Sequence, residues 1–385
     1  MRSAEILEAI RRNNTNFSPA VAEAFRQIYG KKHHELNRTR SHRVVRENIS
    51  YGPHERNVLD VYLPAEGASP TSPASSTPPA SPSSPASPKS PTSLASPTSP
   101  ASPPPSSSSP SSPGYNRPVM IYVHGGRLVA GDKVWYKGSL YANIGDYFAS
   151  HGIITVIINY RLVPDVTYPG GAEDIQRARE WVYHNISKTE FGEGDPEKVV
   201  LVGHSAGGLH LATNLYLYPP EPRPKPKPQK YPVQPESFKE TSTSSTPPSP
   251  PPIAGIVFIS TPFEFVDTFS PMPPHNTQFQ TALKAYYGTQ HLDEVHGLSP
   301  IGLMMEKIPD DSPLLDPRKL PCLVVLAQYD PQGIQDPTFA FVDEYRRRSP
   351  QGVLPEFVVV GGHNHISHAE YVERGAFTGS PHSSS

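Results

Sequence analysis

Short, nearly uninterrupted apolar runs recur along the chain and are separated by segments of helical length. The runs occupy 119–123, 153–158, 199–202, 253–259, 322–327 and 356–360, and between them 138–150, 172–187, 206–217 and 336–347 read as helices. A strand that shows no polar alternation is buried on both faces, so this order predicts a mostly parallel sheet with helices on either side, an α/β fold. Residues 43–49 and 58–63 have the length and β-branched content of a strand pair, with 51–57 as its turn. Residues 3–30 read as two helices broken near 13–19, the second with Val21, Phe25 and Ile28 at helical spacing. The segment 263–315 interrupts the alternation with aromatic and Met-rich short helices, which fits a small helical cap over a pocket.

Composition divides this pattern into pieces. Residues 68–113 hold 19 serines and 15 prolines with Lys89 as the only charge, too little apolar surface to offset the entropy of ordering. Residues 219–252 alternate Pro with Lys or Arg and then turn to polyproline, again unsuited to a core. Both read as flexible insertions looped out of a continuous domain, since closure cost grows only logarithmically with loop length. The organisation is therefore a helical preface at 1–41, a first strand pair at 42–67, the insertion 68–113 and core at 114–218. The insertion 219–252 follows, then core at 253–374 with the cap segment 263–315, and a flexible tail at 375–385. Pro-x-x-Pro repeats in the two tracts are the kind of sequence a polyproline-recognising domain binds.

Charge excludes more than it suggests. The net charge of −2 argues against a polybasic nucleic-acid or membrane-surface protein, and the early charges at Arg2, Glu5, Glu8, Arg11 and Arg12 leave no apolar signal or anchor there. A cytoplasmic protein is expected. With Cys322 as the only cysteine, disulfides within the chain and multi-cysteine metal sites are arithmetically excluded, and no cofactor is expected.

Candidate chemistry clusters where runs end. Gly203-His204-Ser205-Ala206-Gly207 follows the run 199–202 and opens a helix, the context of a nucleophile elbow. Its glycines suit a sharp strand-to-helix turn that holds Ser205 strained and exposed, beside the Ala206 amide at a helix start. His124-Gly125-Gly126 follows 119–123, and in a parallel sheet its backbone amides would share a rim with Ser205 and face a developing oxyanion. His124 reads as a loop-ordering residue. A serine nucleophile needs a histidine to take its proton and a carboxylate to orient that histidine. Asp330, directly after 322–327 and stiffened by Pro331, is the best carboxylate, whereas Asp336 reads as a helix N-cap and Asp343 lies inside that helix. His363, His365 and His368 all follow the last run, and position alone leaves them tied as the base. No residue spacing completes a metal set around them.

The order Ser205, Asp330, His365, with His124-Gly125-Gly126 upstream, resembles the α/β-hydrolase superfamily, and within it the esterase and kynurenine-formamidase-like branch. The phrase 57–64, the Tyr160-Arg161-Leu162 step with 169–174, and the loop 362–367 are similar to that branch as well. The resemblance implies an α/β-hydrolase fold with an eight-stranded sheet, and it favours His365 as the base over His363 and His368. It further implies a small-molecule ester as substrate, with a formamide such as N-formyl-kynurenine as the alternative. A catalytically weak interaction protein is the reading from a different class. Three features depart from the family. Arg127-Leu128 stands where relatives carry glycine or an aromatic, with Arg127 read as facing solvent or, alternatively, contacting a substrate carboxylate. The Pro-rich tracts are additions. The last departure is the short stretch beyond the histidine loop, which predicts either an uncovered sheet face or cover supplied by residues 1–30 or by a homodimer partner.

Overall fold

The computed structural model describes residues 4–16, 18–37, 44–65, 117–135, 140–220, 250–265 and 277–367. The Ser/Pro-rich tract 68–113, most of the tract 219–252, the tail 375–385 and His368 lie outside the described residues.

The apolar runs become one eight-stranded sheet in the order β1-β2-β4-β3-β5-β6-β7-β8. The strands are β1 Val44–Ser50, β2 Val58–Leu63, β3 Arg117–Val123, β4 Ile154–Ile158, β5 Gly194–His204, β6 Gly255–Ile259, β7 Cys322–Tyr329 and β8 Glu356–Asn364. β2 pairs antiparallel with β1 and β4, and every pairing from β4 through β8 is parallel. The helices are α1 Ala4–Asn13, α2 Pro19–Asn37, α3 Ala142–Ser150, α4 Gly170–Asn185, α5 Ala206–Leu217, α6 Thr277–Tyr287, α7 Pro300–Lys307 and α8 Gln332–Arg348.

β3 shows why its run lacks polar alternation. Val119, Ile121 and Val123 face a core shared with Ile175, Ala178, Leu211 and Leu215, while Met120 and Tyr122 face Tyr141, Ala142 and Ile144 of the α3 region on the other side. Successive side chains point to opposite faces, and here both faces are dry. Because β3 to β8 run parallel, their carboxyl ends form one rim, and Val123 pairs beside Gly203 there.

One expectation needs correction. Helix α8 begins at Gln332, capped by Pro331, so Asp336 lies inside it and is no N-cap. The pair Asp336-Pro337 imitates an N-cap followed by a first-turn proline, but the actual start is a turn earlier and Pro337 falls inside the helix. Of the alternatives for the outer sheet face, the preface supplies cover only in part. Ile10, Ala22, Phe25 and Tyr29 of α1 and α2 pack with Ile366 and Tyr329 at the carboxyl ends of β8 and β7, yet Val358 and Val359 on the β8 flank remain 39% and 50% exposed.

Residues 277–298 pack beside the rim, whereas Ile301, Leu303 and Met304 of α7 belong to the main core. Phe279, Ala282, Leu283 and Tyr286 of α6, with Leu292 and Val295, join Leu128, Phe265, Ala206 and Leu209 in one apolar cluster. Glu264 roots this cap, accepting from Ser299 Oγ at 2.9 Å and pairing with His296 Nδ1 at 2.5 Å. Burial holds its carboxyl above the usual range. Among the described residues no helix is long and apolar enough to cross a membrane.

Candidate active site

β5 delivers Ser205 to the rim through an abrupt turn. Ser205 has φ 53° and ψ −124°, a left-handed conformation that a side chain rarely adopts, and it stands immediately before α5. Its amide donates to Ile259 O of β6 at 2.9 Å and its carbonyl accepts from Leu209 N at 3.1 Å, so sheet and helix both grip the strained residue. Gly207 explains the motif's second glycine: a β-carbon there would stand 2.4 Å from the carbonyl oxygens of both Val123 and His124. Ser205 is only 7% exposed, in contrast to the expected exposed position. The Gly125 backbone and the His365 ring, both brought in from other strands, lie against a turn that is open when the strand and helix are considered alone.

His365 and Asp330 arrive from the two strands farthest along the sheet. His365 Nε2 lies 2.9 Å from Ser205 Oγ, and His365 Nδ1 lies 2.7 Å from Asp330 Oδ1. All three side chains are buried. Asp330 Oδ2 accepts from Ala327 N at 2.7 Å and from Ser260 Oγ at 2.5 Å, which leaves Oδ1 turned to the imidazole. A carboxylate at Nδ1 fixes the tautomer in which Nδ1 carries the proton and Nε2 presents its lone pair to the serine. His363 turns elsewhere, with its Nδ1 3.1 Å from Ser367 Oγ, and His368 lies outside the described residues. Of the tied histidines, His365 is thus the one brought to Ser205.

The loop after β3 is built around His124. Its Nδ1 lies 2.8 Å from the Gly125 carbonyl, its ring stacks on Tyr160 at 4.6 Å, and its own carbonyl accepts from Tyr160 Oη at 2.8 Å. Burial pushes the imidazole down to about 4, so it stays neutral at ordinary pH. Gly126 takes φ 145°, and its carbonyl accepts from Val129 N and Ala130 N, which closes the loop on itself. A β-carbon on Gly125 would stand 3.0 Å from Ser205 Cβ, so this backbone passes directly beside the serine.

Arg127 differs from the solvent-facing reading. It is 9% exposed, and burial, reinforced by the nearby Arg26 charge, lowers its guanidinium to about 10. The preface accounts for the difference. Arg26 of α2 stacks over Trp135 at 4.0 Å, bringing the helix down beside the loop that carries Arg127, a contact no local pattern contains.

Three supporting side chains escaped the sequence reading: His204, Ser260 and Tyr160. His204 adjoins the serine in the motif itself, and Ser260 directly follows a predicted strand next to the one that ends at Asp330, so adjacency was the available signal for both. Tyr160 sits in the Tyr160-Arg161-Leu162 step, where Arg161 Nε also meets Asp174 at 2.9 Å and joins the rim to α4. Among the described residues no group of three His, Cys, Asp or Glu side chains could hold a metal ion.

The sheet order, the strained strand-to-helix turn and the sequence of contributing strands make this chain an α/β-hydrolase in fold. A family model described as BD-FAE matches residues 108–301, half of the chain, and the chain belongs to that family. Carboxylesterase 3B of Mus musculus is 37% identical over 115 residues, 28% of this chain and 18% of that protein. Para-nitrobenzyl esterase of Bacillus subtilis (strain 168) is 38% identical over 117 residues, 27% of this chain and 22% of that protein. The matches thus span about a fifth of the length of these curated relatives. Among solved structures, an esterase of Pyrobaculum calidifontis superposes with a TM-score of 0.53 at 17% identity, covering 96% of this chain and 92% of its own. Esterase B from Lactobacillus rhamnosis does so at 0.55 and 14%, covering 96% and 90%. At these identities the structural likeness concerns the fold.

Proposed function

We propose that this protein is a serine hydrolase that cleaves carboxylic esters of small or medium size through an acyl-enzyme. The observation that carries the reading is the continuous hydrogen-bonded line from Ser205 Oγ through His365 to Asp330, at 2.9 and 2.7 Å. In this reading Ser205 Oγ attacks the ester carbonyl carbon as its proton passes to His365 Nε2, and Asp330 stabilises the imidazolium. The carbonyl π electrons move onto oxygen, and the amides of Ala206 and of Gly125 or Gly126 receive that oxyanion. One such donor is typically worth about 3 kcal/mol in the transition state. The tetrahedral centre collapses, His365 returns the proton to the departing alcohol oxygen, and the acyl group stays on Ser205. Water then gives a proton to His365 and attacks the acyl carbon; the second tetrahedral centre collapses with cleavage of the C–Oγ bond, and His365 returns the proton to Ser205 Oγ, releasing acid and free serine.

The esterase names among the relatives support the ester over other acyl compounds. The apolar cap side chains around Ala206 and Leu209 suit an uncharged acyl or aryl group. An N-formyl amide would run through the same steps with an amine as leaving group, the finer distinction being one of substrate fit. The test is labelling by a fluorophosphonate probe, compared between the native chain and Ser205→Ala, with turnover of short acyl esters beside N-formyl-kynurenine. Labelling and ester turnover that vanish in the variant are expected. A well-folded native protein that takes no label overturns the reading, and faster turnover of the formamide replaces ester by amide.

A further inference from the structure

His204 lies between the nucleophile and the base and is assigned no part in the steps above. It is buried at 3% exposed, and its ring centroid lies 5.3 Å from that of His365. Its Nε2 is 3.0 Å from the backbone carbonyl oxygen of His365. A carbonyl oxygen can only accept, so Nε2 carries the proton and donates it. On the other side of the ring, Nδ1 would stand 2.9 Å from a β-carbon on Gly125, which places the imidazole against the loop that passes Ser205. One side chain therefore touches the backbone of both loops that converge on the serine, from the position immediately before it in sequence.

This bears on the base because of how His365 is otherwise held. Its side chain is oriented by Asp330, and the turn behind it is closed by Asn364 Oδ1, which accepts from Ser367 N at 3.0 Å. Both restraints come from β7, β8 and their own loops at the outer side of the sheet. The bond from His204 is a restraint from β5, the strand that carries the nucleophile. We infer that His204 is a positioning residue that fixes the backbone of His365 relative to Ser205, so that Nε2 stays within proton-transfer distance of Oγ. The inference rests on the hydrolase reading for its consequence in turnover, but the positioning itself has a readout that needs no substrate.

The experiment compares His204→Leu, which removes the donor, with His204→Gln, whose side-chain amide nitrogen can occupy the place of Nε2. With a short acyl ester, the Leu variant is expected to lose about 10- to 100-fold in kcat, the scale of a small misplacement of a reacting group, with KM little changed. The acid limb of its kcat/KM profile should move, and the Gln variant should recover most of the loss. Equal losses in the two variants overturn the proposal in favour of simple packing, as does a Leu variant with native kcat. The low-field proton resonance of His365 Nδ1–H on Asp330 provides the second readout. It should weaken or shift in Leu and be restored in Gln whether or not the native protein turns over esters, which separates failure of this proposal from failure of the hydrolase reading. If the Leu variant does not fold, His204→Asn takes its place, since its amide stops short of the carbonyl.

Discussion

Ser205 and His365 approach to 2.9 Å, yet they are held by opposite kinds of structure. Ser205 ends a central strand with hydrogen-bonded neighbours on both sides and a buried helix beginning at its back. His365 follows an edge strand whose Val358 and Val359 are 39% and 50% exposed, and its position depends on side-chain ties from Asp330 and His204 and on Ile366 anchored among the preface helices. The centre is rigid by covalent geometry and close packing. At the edge, a few bonds substitute for that packing. The difference separates two kinds of fragility: apart from the Ser205 hydroxyl itself, changes at the centre should cost folding, and changes at the edge should cost turnover.

The largest expected effect lies on the edge side. His365→Gln should lower kcat about 10⁵-fold or more, and Asp330→Asn, which leaves the imidazole in the wrong tautomer, about 10⁴-fold, both measured with a short acyl ester. Loss of folding with no specific loss of turnover would reverse the comparison. At the centre, Gly207→Ala forces a β-carbon against two backbone carbonyls that cannot step aside, so unfolding free energy should fall by about 3 kcal/mol in a urea titration.

Acid should act on the centre as well. Burial pushes His124 and His210 down to about 4, whereas the unfolded chain binds their protons near the ordinary value of 6.5. The stability they contribute is whole above 6.5 and drains as pH falls toward 4, so each should remove about 2 kcal/mol between pH 7.5 and pH 5. Urea titrations at those two pH values measure the drop, and His210→Asn should reduce it by the share of that histidine. The smallest effect sharpens the contrast with like substitutions: Val123→Ala should cost about 2 kcal/mol and Val359→Ala less than about 0.5.

What the sequence revealed follows the same division. The central strands were readable because burial on two faces leaves a continuous apolar run, and Ser205 because its turn has a local glycine signature. β5 begins at Gly194, well before the apolar run, because 194–198 is polar and only its pairing makes it strand. β8 extends to Asn364 through glycines and histidines with no strand character of their own. Asp330 stood out by its place directly after an apolar run and before Pro331, but His365 could be singled out only with the help of a family resemblance, since three histidines shared one loop. The burial of Arg127, the bond from Ser260 and the reach of His204 depend on elements more than fifty residues away, and no window of sequence contains them.

Strand direction has one more consequence. β2 ends and β3 begins at the bottom of the sheet, since Tyr62 and Met120 both flank Thr155 near the start of β4, about 10 Å apart across two strand spacings. At the same pole Arg179 of α4 ties the end of α5 to the approach of β6, reaching Asn214 Oδ1 and the Pro251 carbonyl at 2.7 Å each. The sheet's whole length thus separates Leu63, Arg117 and Pro251 from the serine. Substitutions at that lower pole should reach turnover only by way of stability.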